Sequence, residues 1–183
     1  VTLPGPAFWF LRHGETAWNA QGLSQGNVDI PLNETGIAQA HAAAALLRGR
    51  GIVSIVSSPL SRARDTANTV AAMLGLEVIL QDDLREVSFG VHEATPMADH
   101  WFGEWVEGIA TPEGAESFAD LRTRARGAIA KAIAHPAPVL VVAHGALFRA
   151  LRAEMGLPAN VRTPNAMPFF CEPGTPWTLT AAT

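Results

Sequence analysis

The sequence predicts an α/β protein: a three-layer α/β/α sandwich with a mostly parallel central sheet. Three observations predict it. Short apolar runs such as Ala7-Phe8-Trp9-Phe10-Leu11 and Val139-Leu140-Val141-Val142-Ala143 have the length of strands buried on both faces. Segments with apolar residues at helical spacing lie between such runs, and strands alternating with helices imply a parallel sheet covered on both sides. Each run is followed by an ionisable residue, as at the carboxyl edge of an open sheet, where such folds bind ligands.

In chain order, the first strand delivers Arg12 and His13 into that crevice. Asn33 caps a helix from about Glu34 to Arg48, stopped by Gly49 and Gly51. Ile52 to Ser57 is the second strand. Ser58 and Pro59 read as the N-cap and first position of a helix that carries Leu60, Ala63, Ala67, Val70 and Leu74. Arg62 falls in its first turn, where its guanidinium and the free backbone N–H groups face the crevice and favour an anion. A third apolar run precedes Leu84-Arg85-Glu86. A long excursion, Val87 to Asp120, leads to a helix, the strand Val139 to Ala143, and an amphipathic helix from Gly145 to near Gly156. The tail suggests edge strands at Met167 to Glu172 and Trp177 to Leu179, with Pro168, Pro173 and Pro176 weighing against regular pairing.

Composition fits one soluble domain over residues 1–183. A chain of 183 residues buries about 70% of its unfolded surface, and the 48% hydrophobic content is spread without repeats or low-complexity tracts. The longest apolar runs are too short to cross a bilayer, and the N-terminus lacks a basic segment followed by an apolar core, so a cytoplasmic location is the default expectation. The net charge of −4 argues against a nucleic-acid partner; a small anion needs only a local positive pocket. Cys171 is the single cysteine, which precludes an internal disulfide and reads as a space-filling residue near a C-terminal strand.

The ordered elements Arg12-His13-Gly14-Glu15-Thr16-x-Trp18-Asn19, Gln25-Gly26, Asp29-x-Pro31-Leu32, Ser58-Pro59-Leu60-x-Arg62-Ala63, Leu84-x-Glu86 and Ala143-His144-Gly145 cover most of the chain. Through them the sequence resembles the histidine phosphatase superfamily, in its phosphoglycerate mutase-like branch. The resemblance implies that His13 is phosphorylated during turnover and that Glu86 is the general acid/base. It further implies that Arg12, Arg62 and His144 clamp the phosphoryl group, that Asn19, Gln25, Gly26 and Gly145 are pocket contacts, and that the Gly14 carbonyl accepts a hydrogen bond from the His13 ring. It implies no cofactor and no metal.

The residue types suit that chemistry on their own terms. A phosphoryl dianion needs donors for its equatorial oxygens and a nucleophile in line with the leaving oxygen. Arg12 and Arg62 each offer a bidentate fork, a protonated His144 adds a third donor, and an imidazole such as His13 has a neutral, attacking form at neutral pH. Glu86 can protonate the departing alkoxide, and the incoming dianion favours its protonated form.

Other residues read as structural. Glu15 ties down the signature loop, His41 sits on a helix surface, His135 marks a helix end, and Arg64 with Asp65 forms a solvated helix face. His92, His100, Asp99 and Glu104 lie together in the excursion, but their spacing matches no zinc signature.

The excursion at 87–120 reads as a lid that sets specificity. It carries Phe89, Trp101, Phe102 and Trp105, seven acidic residues from Glu93 to Asp120, and no Lys or Arg. A mutase or bisphosphatase must hold a second strong anion, and cations are expected in the lid for that purpose. The reading favoured here is therefore a phosphatase for small phosphomonoesters with an apolar or ring-bearing alcohol portion, unless the aromatics, at helical spacing, are core. The phosphoglycerate mutase is the first alternative. A non-catalytic phospho-ligand sensor is the second, although a pure binder needs neither nucleophile nor acid. Where many family phosphatases carry Trp-Glu-Gly after the acid/base, this chain has His92-Glu93-Ala94, and a change in the lid's fold is expected there.

Overall fold

A computed structural model describes residues 3–183. In chain order the elements are β1 (Phe8–Arg12), α1 (Ala17–Ala20), α2 (Glu34–Leu47), β2 (Ser54–Ser57), α3 (Ser61–Leu74), β3 (Val78–Leu80), α4 (His100–Val106), α5 (Phe118–Ala132), β4 (Val139–Ala143), α6 (Gly145–Glu154), β5 (Pro168–Glu172) and β6 (Thr178–Ala181). They build one six-stranded sheet in the order β3-β2-β4-β1-β5-β6. The first four strands in that order are parallel, and the two tail strands extend the sheet antiparallel, close to where the tail suggested them.

The three layers follow from the two-residue period of a strand. Phe8 and Phe10 of β1 and Val139, Val141 and Ala143 of β4 face one core, with the apolar sides of α5 and α6. Trp9 and Leu11, with Leu140 and Val142, face the other, with Ala43, Ala44 and Leu47 of α2 and Ala63, Ala67 and Val70 of α3. Both faces of β1 and β4 are buried, which is why their sequences are unbroken apolar runs. Cys171 is fully buried in β5, and burial pushes its thiol pKa up, consistent with a space-filling role. No helix among the described residues is long and apolar enough to cross a membrane.

One expectation about local structure is corrected. Ser58 and Pro59 do not start α3. The helix begins at Ser61, its N-cap is Leu60, and that residue offers no side-chain cap. The cap comes from 32 residues upstream: Asp29 Oδ1 accepts the Ser61 backbone N–H at 2.8 Å and its hydroxyl at 2.7 Å. One of the N–H groups expected to face the crevice is thus already taken. Asp29→Ala is expected to lower stability by about 1 kcal/mol, a fall in Tm of about 2–4 °C, measurable by thermal denaturation.

His92 stacks on Trp101 at 4.7 Å with the rings 7° apart, and Ala94 adopts φ +63°, a left-handed conformation that is strained for a residue with a Cβ. Trp101, Phe102 and Trp105 pack with Phe89 and Phe118 in the core, so the core reading holds for them. Phe102 also lines the cavity next to the site, and Trp101 a separate surface pocket.

Candidate active site

Register brings the two histidines together. Arg12 of β1 pairs with Ala143 of β4, so the next residues, His13 and His144, leave the sheet side by side with ring centroids 5.3 Å apart. β2 lies on the other side of β4, with Ser57 opposite Val142, and this sets the Ser58 hydroxyl 2.7 Å from His144 Nε2. Ser58 is thus part of the site and not a helix cap.

The His13 ring is fixed by Nδ1, 2.7 Å from the Gly14 carbonyl. A carbonyl only accepts, so Nδ1 carries the proton and Nε2 carries the lone pair. Asn165 donates to the His13 carbonyl at 3.0 Å and to Asn19 Oδ1 at 3.3 Å, holding the loop from the tail side. Thr16 and Asn19 form a reciprocal capping box on α1, and the Thr16 hydroxyl donates to Gln25 Oε1 at 2.6 Å. Glu15 ties the loop to Asn33 at 2.9 Å, as expected.

Arg62 is almost wholly buried, and its two terminal nitrogens donate to the Val28 and Gly26 carbonyls at 2.6 and 2.8 Å. The same loop is pinned to α3 by Asp29. Arg12 donates to the Thr163 carbonyl at 2.7 Å. Burial lowers the pKa of each guanidinium to about 10, so both stay cationic at neutral pH. Three buried side-chain nitrogens lack a hydrogen-bond partner among the described residues: Arg12 Nε, Arg62 Nε and His144 Nδ1. An unpaired buried donor costs about 1–3 kcal/mol, and an oxyanion accepting from these nitrogens removes that cost.

Glu86 closes the crevice. Its Oε1 accepts from Val87 N–H at 3.0 Å and Leu147 N–H at 2.9 Å, and its Oε2 from Ala146 N–H at 2.9 Å. The carboxylate therefore caps the N-terminus of α6, where the helix dipole favours negative charge. Arg124 braces the chain just before it, donating to the Asp83 and Arg85 carbonyls at 2.9 and 2.7 Å while paired with Glu116 at 2.7 Å. These groups surround a well of about 30 Å³ lined by Arg12, His13, Asn19, Gln25, Gly26, Arg62, Glu86 and Gly145. All nine residues singled out in the sequence except His144 line it, and the His144 ring lies beside that of His13, 5.3 Å between centroids. That volume holds two or three waters at about 10–15 Å³ each, the scale of a phosphoryl group's oxygens.

Burial, then Arg62 and Arg12, hold the His13 pKa well below 6.5, against the Gly14 hydrogen bond. Burial, then Arg62, His13 and Arg12, do the same to His144. His144 is thus neutral in the folded protein, and any proton it donates is that of the neutral ring. The unfolded chain binds protons at these rings below pH 6.5 that the folded chain does not. Stability is therefore expected to fall as pH drops from 6.5 toward the folded-state values, and His144→Asn to flatten the slope, in urea denaturation between pH 7 and 5.

Gly145 lets Arg12 in: a Cβ there meets Arg12 Nε at 3.1 Å and Cζ at 3.3 Å. Gly145→Ala is expected to weaken binding of inorganic phosphate about tenfold or more by calorimetry, with the melting temperature nearly unchanged.

Sequence reasoning gave no role to Asp29, Asn165 and Arg124, and misread Ser58, although Ser58 follows a strand end as His13 and His144 do. It also missed Arg149 and Arg162, which line a second, outer cavity with Met97, Ala98 and Phe102. Arg149 was within reach, since it lies four residues beyond Gly145 on the same helix face. His92, His100 and Glu104 share a separate surface pocket. Among the described residues no group of three or more His, Cys, Asp or Glu could hold a metal ion.

Comparison with known proteins places this architecture. A probable phosphoglycerate mutase of Yersinia pestis is 40% identical over 164 residues, covering 83% of this chain and 76% of that protein. Mycobacterial glucosyl-3-phosphoglycerate phosphatase superposes with a TM-score of 0.84 at 31% identity, over 97% of this chain and 98% of that one. A putative alpha-ribazole-5'-P phosphatase from Escherichia coli gives 0.82 at 28% identity, over 98% and 97%. The family model described as the histidine phosphatase superfamily (branch 1) matches residues 8–165. That span takes in both histidines, the two buried arginines and Glu86, and the chain belongs to this superfamily.

Proposed function

We propose that the protein is a metal-independent phosphomonoester hydrolase, one domain over 1–183 with the 87–120 excursion as its lid, acting on a small phosphorylated molecule through a phosphohistidine on His13. The observation that carries this reading is the free Nε2 of a neutral, buried His13 beside unpaired donors on Arg12 and Arg62. In the first step Nε2 attacks phosphorus, the P–O bond to the alcohol breaks, and the alkoxide takes a proton from the Glu86 carboxyl group. Arg12, Arg62 and His144 hold the equatorial oxygens. His144 Nε2 lies 2.7 Å from the Ser58 hydroxyl, which leaves Nδ1, the unpaired nitrogen, for that purpose. Water then attacks phosphorus, losing its proton to the Glu86 carboxylate, the P–N bond breaks, and free phosphate leaves.

The names of the Yersinia relatives favour a phosphoglycerate mutase as the second reading. Hydrolysis of a phosphomonoester panel with chelator present, with 3-phosphoglycerate isomerisation followed in parallel, separates them. Steady phosphate release is the expected result. Isomerisation primed by 2,3-bisphosphoglycerate with little net phosphate release replaces the hydrolase by the mutase.

A further inference from the structure

Every backbone polar group from His13 to Glu15 is paired. The His13 N–H donates to the Ala143 carbonyl at 3.1 Å, and the His13 carbonyl accepts from Asn165 at 3.0 Å. The Gly14 N–H donates to the Thr66 hydroxyl at 3.0 Å, and the Gly14 carbonyl accepts from the His13 ring at 2.7 Å. The Glu15 N–H donates to Gln39 Oε1 at 2.8 Å, and the Glu15 carbonyl accepts from the Asn33 N–H at 3.0 Å. With no group left over, the loop that presents the nucleophile has no competing pairing to relax into.

Two of these partners, Thr66 of α3 and Gln39 of α2, do not line the phosphoryl well. Thr66 is fully buried. Its hydroxyl accepts from Gly14 and donates to the Arg62 carbonyl at 2.7 Å, so one oxygen ties the nucleophile's loop to the residue that carries the clamp. Gln39 acts one peptide further on. The N–H it holds and the carbonyl that anchors His13 belong to the same peptide group. Gln39 Oε1, Glu15 N–H, Gly14 C=O and His13 Nδ1–H therefore form one continuous chain, in which each hydrogen bond polarises the next. The fold brings α2 close enough for this contact: a Cβ on Gly14 collides with the Gly36 carbonyl, and a Cβ on Gly36 with the Glu15 carbonyl. Gln39 follows Gly36 by three residues, on the same helix face.

We infer that Gln39 and Thr66 are positioning residues for the nucleophile: they hold the peptide groups on either side of Gly14 so that its carbonyl fixes the His13 ring with Nε2 aimed at phosphorus. This rests on the phosphatase reading. The ring's direction sets the line of attack, and small misplacements of a reacting atom are costly.

The test uses Gln39→Leu, which removes the acceptor, Gln39→Glu, which keeps one, and Thr66→Val, which keeps the shape and removes the hydroxyl. Nitrophenol release from p-nitrophenyl phosphate in single turnover reads phosphorylation of His13, and calorimetry reads the Kd of inorganic phosphate. NMR reads the His13 Hδ1 proton, whose resonance moves upfield as its hydrogen bond weakens. Gln39→Leu and Thr66→Val are expected to slow release about tenfold to a hundredfold, with the phosphate Kd within about threefold of wild type and the Hδ1 resonance moved upfield. Gln39→Glu should keep the wild-type rate and resonance. Gln39 is half-buried, so its replacement leaves the fold intact, and Thr66→Val gives a second, independent reading. Wild-type release and resonance in both Gln39→Leu and Thr66→Val overturn the inference and leave the phosphatase standing. Slower release with the resonance unmoved, or slowed equally in Gln39→Glu, also overturns it, because general loosening of the loop then accounts for the loss. No release in any protein overturns the phosphatase, and the resonance then decides the inference alone: moved in the two variants, it stands; unmoved, it falls.

Discussion

His13→Asn is expected to reduce phosphoester turnover by about four orders of magnitude or more while leaving the fold in place. The imidazole Nε2 carries a free lone pair beside the unpaired donors of Arg12 and Arg62. The asparagine amide can still donate to the Gly14 carbonyl, as His13 Nδ1 does, so the loop keeps its anchor. Arg12, Arg62 and His144 are untouched, and inorganic phosphate should bind within about tenfold of its wild-type affinity. A variant that retains more than about a hundredth of wild-type kcat argues for direct attack by water and against a phosphohistidine.

Glu86→Gln is expected to lower kcat on alkyl phosphates by about a hundredfold to ten-thousandfold, the range of general acid–base catalysis. On p-nitrophenyl phosphate the first step should be nearly spared, because that phenolate leaves without a proton. Water attack on phospho-His13 still needs the carboxylate, so a burst of nitrophenol followed by slow turnover is expected in stopped flow. Leaving-group dependence separates this chemistry from a structural role. Glutamine also weakens the cap on α6, since its amide nitrogen cannot accept from backbone N–H as the carboxylate does at Val87, Ala146 and Leu147. A loss equal on both esters and matched by a fall in Tm indicates the cap alone.

How far the sequence could be read depended on whether the cause of a feature was local. β1 and β4 were legible because burial on both faces demands unbroken apolar runs, and the residue after such a run must sit at the carboxyl edge. Hence the position of Arg12, His13 and His144 at the carboxyl edge of the sheet is legible in the runs themselves. α3 was misplaced because Ser-Pro is a helix-start signal, whereas the actual cap, Asp29, competes from 32 residues away. Freed from that duty, Ser58 serves His144. The charge argument for the lid looked only at residues 87–120, but the outer cavity's cations come from α6 and from Arg162. Of these, Arg149 has a spacing that points to it, four residues beyond Gly145 on α6, whereas Arg162 has none.

The central claim is a covalent phosphoryl group on His13, and trapping it is the most direct measurement. Enzyme mixed with excess p-nitrophenyl phosphate, quenched in alkali on the millisecond scale and digested for mass spectrometry, should carry one phosphoryl group on the peptide containing His13, accumulating most strongly in Glu86→Gln. Turnover of the ester with no phosphoryl group on His13 at any quench time, or with the group on His144 instead, contradicts the account.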